Sequence, residues 1–210
     1  MPPRTSWTVS ARPSTVPDMT TTIVPATDQR FDDIQHALSG GGDGLTCQCQ
    51  WWTLTNAQFQ ASDLTERERL LREQVAATPA PALVAYVDGE AAGWVRVGPR
   101  TLQPRLARTR DFAATTEDWA DPSVWAVTCF VVRKEHRGHG LNPLLLEAAI
   151  EHARANGARM IEAYPTDTSV AKRPANELYR GVLSVFRAAG FREIARPKPE
   201  RVIVQLAFTA

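Results

Sequence analysis

The sequence predicts an α+β fold in one domain, and three observations predict it. A run with the character of a buried strand passes through a basic loop with two glycines into an amphipathic helix between Val124 and Ala158. Around that unit, segments follow in the order strand, two helices, hairpin, central strand, helix, strand, helix, hairpin. The 210 residues supply one sizeable core, whereas two full domains would be cramped.

Residues 1–20, rich in Pro, Ser, Thr and Arg, carry no periodic pattern and are expected to be a poorly ordered leader, with Trp7 the one residue placed to tuck onto a surface; residues 21–210 form the domain. Thr22–Ala26 reads as a strand. Asp28–Leu38 reads as a helix on the spacing of Phe31, Ile34 and Leu38, broken by the glycine cluster of Ser39–Gly44. In Leu45–Trp52, Cys47 and Cys49 are either half a metal site or packing residues; no second Cys or His pair stands at zinc-finger spacing, so no metal is expected. Trp51 and Trp52 either wall a pocket or pack. Asp63–Ala77 is a helix capped by Asp63 or Thr65, with Leu70, Leu71 and Val75 inward. Ala82–Val87 and Ala91–Val97 form a hairpin about Asp88-Gly89, a favoured turn pair. Gly98–Pro122 holds Arg100, Arg105, Arg108 and Arg110 followed by four carboxylates. It reads as a solvated segment with self-compensating charge, or as a lid or phosphate contact.

Val124–Val132 is short, apolar and β-branched, as a strand covered on both faces should be. Arg133–Arg137 leaves the core, and Gly138 and Gly140 permit backbone shapes that a Cβ forbids. Asn142 suits an N-cap and Pro143 the first helical position. Leu145, Ala149, Ile150 and Ala153 make the inner stripe, and Gly157 the stop. Amides converging at a positively polarised helix end, beside Arg133, Lys134 and Arg137, make a place for a phosphate or pyrophosphate; the alternative is an ordinary turn. Arg159–Tyr164 is the next strand. Glu177–Ala189 contains a helix with Leu183 and Phe186 inward, capped by Gly190, and Phe191–Ile194 and Val202–Phe208 make a last hairpin. Its proline-rich Arg196–Pro199 connection is not expected to be a tight two-residue turn.

Totals bound the function. Hydrophobic residues at 43% and charged residues at 22% are ordinary for a globular protein, and a net charge of +1 argues against a nucleic-acid binder. Three cysteines cannot all pair. With no signal-type or membrane-length apolar run, they point to a reducing, cytoplasmic location and no membrane partner.

Arg137-Gly138-His139-Gly140-Leu141-Asn142 resembles the R-x-x-G-x-G/A pyrophosphate loop of the GNAT superfamily of acyl-CoA-dependent N-acetyltransferases. Gly93–Val97 and Ala188-Ala-Gly-Phe191 are similar to other stretches of that family, and the resemblance spans roughly residues 22–208. Asn142 departs from the family's Gly or Ala and can either cap the amides or turn its own donors to the ligand. The resemblance implies a mixed central sheet of six to seven strands flanked by about four helices. It further implies transfer of an acetyl group from acetyl-CoA to an amine, with a small-molecule acceptor favoured, by a monomer or homodimer. Phe130, Val131 and Val132 would pair with pantetheine between splayed strands, and Arg137, Gly138, His139, Gly140, Leu141 and Asn142 would hold the pyrophosphate.

The resemblance leaves the catalytic groups open. Ser123, Val124 and Trp125 stand where relatives place a carboxylate, and Phe186 stands where many place a tyrosine. Glu162 is either a general base beside the cleft or a satisfied structural carboxylate; Tyr164 and Tyr179 either reach the sulfur or pack. Cys129 is either an acyl acceptor or an inert small hydrophobe. His136 and His139 suit phosphate contact or exposure. The rival readings are a non-catalytic acyl-CoA sensor and a transferase for a longer acyl chain.

Overall fold

The computed structural model describes residues 7–8, 19–170 and 172–208. In chain order come β1 (Trp7–Thr8), β2 (Thr21–Pro25), α1 (Phe31–Leu38), α2 (Gly44–Cys47), α3 (Asn56–Ala61) and α4 (Leu64–Val75). Then follow β3 (Ala82–Val87), β4 (Glu90–Pro99), α5 (Arg105–Arg108), β5 (Val124–Val132) and α6 (Leu141–Ala155). The chain finishes with β6 (Met160–Ala163), α7 (Leu183–Ala188), β7 (Arg192–Lys198) and β8 (Arg201–Ala207).

The eight strands form one mixed sheet in the order β1-β2-β3-β4-β5-β6-β8-β7. Only β5 and β6 run parallel, as a strand–helix–strand unit must, and the hairpins supply antiparallel neighbours. The expected α+β arrangement is observed. Its first strand comes from the stretch expected to be unstructured: Trp7 and Thr8 pair with Ile23 and Thr22. The rest of that leader, up to residue 18, lies outside the described residues.

Two cores lie on the two faces of the sheet. On one, Leu145, Leu146, Ala149 and Ala153 of α6 pack against β3–β6, as the helical stripe requires. On the other, Ile34 and Leu38 of α1 and Leu71 and Val75 of α4 cover Val84, Trp94 and Ala126. Fully burying each such Leu or Ile contributes about 1.5–3 kcal/mol. The Asp63 carboxylate caps α4 by accepting from the Glu66 N–H at 2.8 Å. Asp88 and Gly89 turn β3 into β4 with positive φ at both positions.

The helix expected within Glu177–Ala189 is α7, with Leu183 and Phe186 buried; it starts at Leu183, after Gly181 has turned the chain with φ of +82°. One local expectation is corrected. The last hairpin does turn in two residues, Pro199 and Glu200, between paired Lys198 and Arg201. Since β7 is the sheet edge, proline's missing N–H costs no ladder bond there, and Arg196 donates to the Pro199 carbonyl at 2.5 Å. Finally, β5 bulges. Arg96 pairs with Cys129 but Val97 with Val127, leaving Thr128 as an extra residue whose buried hydroxyl donates to Gln103 Oε1 at 2.6 Å.

Candidate active site

Two strands part where the site forms. β5 and β6 stay paired up to Val127 and Ala163. β6 then ends, while Thr128–Val132 continues with β4 on one side only. Arg133 N–H donates to the Ala92 carbonyl, so by alternation Val131 bonds toward β4, whereas Phe130 and Val132 face the gap. Two of these gap-facing groups are engaged by the chain itself. Phe130 N–H donates to the Tyr179 carbonyl at 2.6 Å, and the Val132 carbonyl accepts from Arg137 Nε at 3.0 Å.

Beside the gap, Gly138 and Gly140 have φ of +81° and +77°, and nothing stands within 4 Å of where their Cβ atoms would be. Gly140, not Asn142, is the N-cap of α6, because its left-handed conformation already turns the chain into the helix. Pro143 is therefore third in the helix, where its absent N–H is still one of the four orphans. The Asn142 side chain makes no cap: its Oδ1 is buried without a partner, as is His136 Nε2. Leu141 is rooted in the core at 5% exposure, and His139 is exposed. Arg137 reaches across to the Gly40 carbonyl at 3.4 Å, so the glycine run 40–44 faces the loop.

Between them lies a cavity of about 680 Å³, bordered by Phe130–Val132, Arg137, Gly138, Gly140–Pro143, Trp51, Trp52 and Tyr179. His139 is the one residue of the proposed loop outside this lining. Open amides at a helix N-terminus, beside a strand edge that keeps part of its backbone groups free, fit a nucleotide diphosphate with an extended arm.

The three catalytic candidates separate. Glu162 and Tyr164 do not border the cavity. Glu162 is fully buried and accepts from Arg100 Nη1 at 3.0 Å, Thr115 Oγ1 at 2.6 Å, Gln205 Nε2 at 2.8 Å and the Tyr164 hydroxyl. Burial first, and then Glu162, push the Tyr164 phenol well above its ordinary range. This is the satisfied structural carboxylate of the two readings. Tyr179 does stand on the cavity wall. Partial burial holds its phenol above the ordinary value, so it keeps its proton at neutral pH.

Part of the cavity wall comes from Leu45–Trp52, held in place by glutamines that sequence reasoning passed over. Gln48 and Cys49 both adopt left-handed backbone. That turn is held by the Gln35–Gln48 amide pair at 2.7 and 2.9 Å, and by Gln50, which bonds Gln74 at 2.9 Å. Gln48 and Gln50 are fully buried. Cys47, Cys49 and Cys129 all border the cavity. Behind them, Arg96 is 3% exposed and spends only Nη2, on Gln74 at 3.0 Å. The neighbouring Cys129 thiol, helped by the Arg96 charge, pulls the Cys49 thiol below its usual value against burial; Cys49 in turn, with burial, pushes Cys129 well up. The signal available in the sequence was glutamine alternating with cysteine in an apolar setting.

Gly98–Pro122 exposes about half of its residues but is anchored by buried ones, and none of it borders the first cavity. Arg100, Leu106 and Phe112 are buried, and Phe112 lies 4.1 Å from the Tyr164 ring. Arg105 stacks on Trp51 at 3.7 Å and donates to the Trp51 and Leu54 carbonyls and to Asn56. The segment thereby closes a second cavity of about 390 Å³, which shares Trp51, Trp52 and Tyr179 with the first. Among the described residues, no helix is long and apolar enough to cross a membrane.

No curated protein matches the chain. Among solved structures, the GNAT domain of S. lividans PAT superposes with a TM-score of 0.56 at 18% identity, covering 97% of each chain. A ribosomal-protein-alanine N-acetyltransferase from Brucella melitensis gives 0.53 at 19%, covering 89% of this chain and 99% of that one. The PaiA N-acetyltransferase of Thermoplasma acidophilum, solved with coenzyme A, gives 0.52 at 10%, covering 90% of this chain and 100% of that one. At these identities the likeness is one of fold. A family model described as acetyltransferase (GNAT) family matches residues 49–182, more than half of the sequence. The chain thus belongs to the GNAT acetyltransferase family, enzymes that use acetyl-CoA as acyl donor.

Proposed function

We propose that this enzyme transfers an acetyl group from acetyl-CoA to a primary amine of a small molecule by direct attack on the thioester. The observation that carries this is the gap between β5 and β6, opening beside the free amides that start α6. Gly140, Leu141 and Asn142 offer N–H groups to the diphosphate, with Arg137 and Gly138 beside them. Phe130 and Val132 offer the strand edge to the pantetheine arm. Acetyl-CoA supplies an activated carbonyl and a thiolate leaving group. Tyr179, protonated and on the cavity wall, is the candidate acid for that sulfur. The three free cysteines suit a reducing compartment, and we place the enzyme in the cytoplasm.

The test pairs binding with turnover. Gly140→Glu puts a side chain where φ is +77°, at a strain cost of about 1–2 kcal/mol, and adds an anion where the diphosphate would sit. Acetyl-CoA affinity by calorimetry should fall at least ~10-fold while the circular dichroism spectrum is kept. Undiminished affinity would remove the loop from the site. Phe186, wholly buried against Phe191 and Phe130 where many relatives have tyrosine, favours the sensor as a second reading. Acetyl-CoA binding without thiol release on any amine would select it.

A further inference from the structure

We propose that the acceptor amine carries an anionic group, a carboxylate or a phosphate, which the second cavity binds through Arg180, Arg201 and Arg108. This rests on the acetyltransferase reading and names its substrate class.

The cavity is cationic without being compensated. Arg180 is 5% exposed and its Nε is buried with no hydrogen-bond partner. A guanidinium so far from water needs an anion or a full set of acceptors. Of the other buried arginines, Arg96 stands behind the three cysteines of the first cavity and not on this one. Arg100 pairs with Glu162, and Arg105 spends its donors on the Trp51–Asn56 stretch. Among the described residues, Arg180, Arg201 and Arg108 form no ion pair. The one carboxylate on the cavity wall, Asp111, is taken by Lys198 at 2.9 Å. With a net charge of only +1 on the whole chain, this is a local concentration and not a basic surface.

The position fits an acceptor site. Trp51, Trp52 and Tyr179 border both cavities, so a molecule held by its anion at Arg180 extends past Tyr179 toward the β5–β6 gap. Phe112 and Trp52 give its body an apolar wall. A forked guanidinium matches the paired oxygens of either anion, and a cationic amine without an anion meets only repulsion.

Matched amines differing only in the anion decide the matter: glycine against glycinamide, and O-phosphoethanolamine against ethanolamine. Thiol release gives kcat/KM, and calorimetry on the CoA-saturated enzyme gives affinity. The anionic member of at least one pair should be favoured about 10–100-fold, the span of one or two charge-assisted hydrogen bonds. The pair that shows it tells carboxylate from phosphate. Arg201→Gln, on the rim, should remove the preference even if Arg180→Gln fails to fold; Arg187→Gln, which pairs with Glu193 elsewhere, should keep it. Equal use or binding of neutral members, no binding of any probe, or a preference that survives Arg201→Gln overturns the proposal. Acetyl-CoA binding with turnover of neutral amines would leave the transferase reading standing alone. An anion preference in binding without thiol release would do the reverse.

Discussion

Replacing Glu162 by glutamine separates an anchor from a catalyst. Its carboxylate is fully buried and receives donors from four side chains, with the Arg100 guanidinium, itself fully buried, at 3.0 Å. Removing one charge of such a pair strands the other in a medium that solvates it poorly. The expected loss is about 3–5 kcal/mol, a large part of the roughly 5–15 kcal/mol that holds a domain together. At about 2–4 °C per kcal/mol for a chain of this size, the melting temperature should fall by roughly 6–20 °C. Urea denaturation read by tryptophan fluorescence measures the first number, and a thermal scan the second. Thiol release per folded molecule at low temperature should change little, because Glu162 does not border the cavity. A combined Arg100→Met and Glu162→Leu exchange should cost less than the sum of the two single changes, since it leaves no stranded charge. The reasoning is refuted if Glu162→Gln keeps its stability within about 1 kcal/mol but loses turnover together with the acidic limb of its pH–rate profile. Glu162 would then be a base.

Other outcomes follow from the same geometry. Tyr179→Phe should lower kcat about 100-fold with little change in KM for acetyl-CoA; an unchanged kcat would strike the phenol from the mechanism. Burial holds His152 below its ordinary 6.5, with its Nε2 beside the Ala80 carbonyl at 2.9 Å. The unfolded chain therefore takes up that proton first, so this stabilisation is whole above 6.5 and drains away as pH falls. Urea midpoints should drop between about pH 7.5 and about pH 5.5, and His152→Gln should flatten the difference; an equal slope in both proteins would contradict the assignment. Arg96→Met should move the thiolate titration of Cys49 upward, followed by ultraviolet absorbance. A titration that stays in place would mean that Arg96 does not hold that sulfur.

What the sequence disclosed was local. Val124–Val132 and the α6 stripe announce themselves by periodicity, Asp88-Gly89 by its turn chemistry, and the helix cap by Asp63. The loop Arg137–Asn142 is legible for the same reason, although which residue caps α6 depends on a φ angle that no residue name fixes. What stayed hidden was long-range. Arg100 and Glu162 stand 62 positions apart, and Arg105 lies about fifty positions from the carbonyls it clamps. Each looks, in sequence, like a solvated charge, so Gly98–Pro122 reads as a solvated segment or a lid, and Glu162 stays open between a base and a structural carboxylate. The helix α7 was legible, but not the close fit before it: nothing around Gly181 says that Phe186 fills the space its Cβ would need.

The supernumerary residue in β5 decides what the outer end of that strand can offer. Ala126 and Cys129 sit three apart yet share one face of the sheet, while Val127 and Phe130 share the other. Were Thr128 drawn into the ladder as an ordinary paired residue, everything beyond it would roll over by half a turn. Phe130 and Val132 would then spend their amides on β4, the three-thiol wall would lose Cys129 to the opposite core, and the opening beside β6 would have nothing to present. The strand edge we propose for the acyl donor thus depends on the parity of one inserted residue.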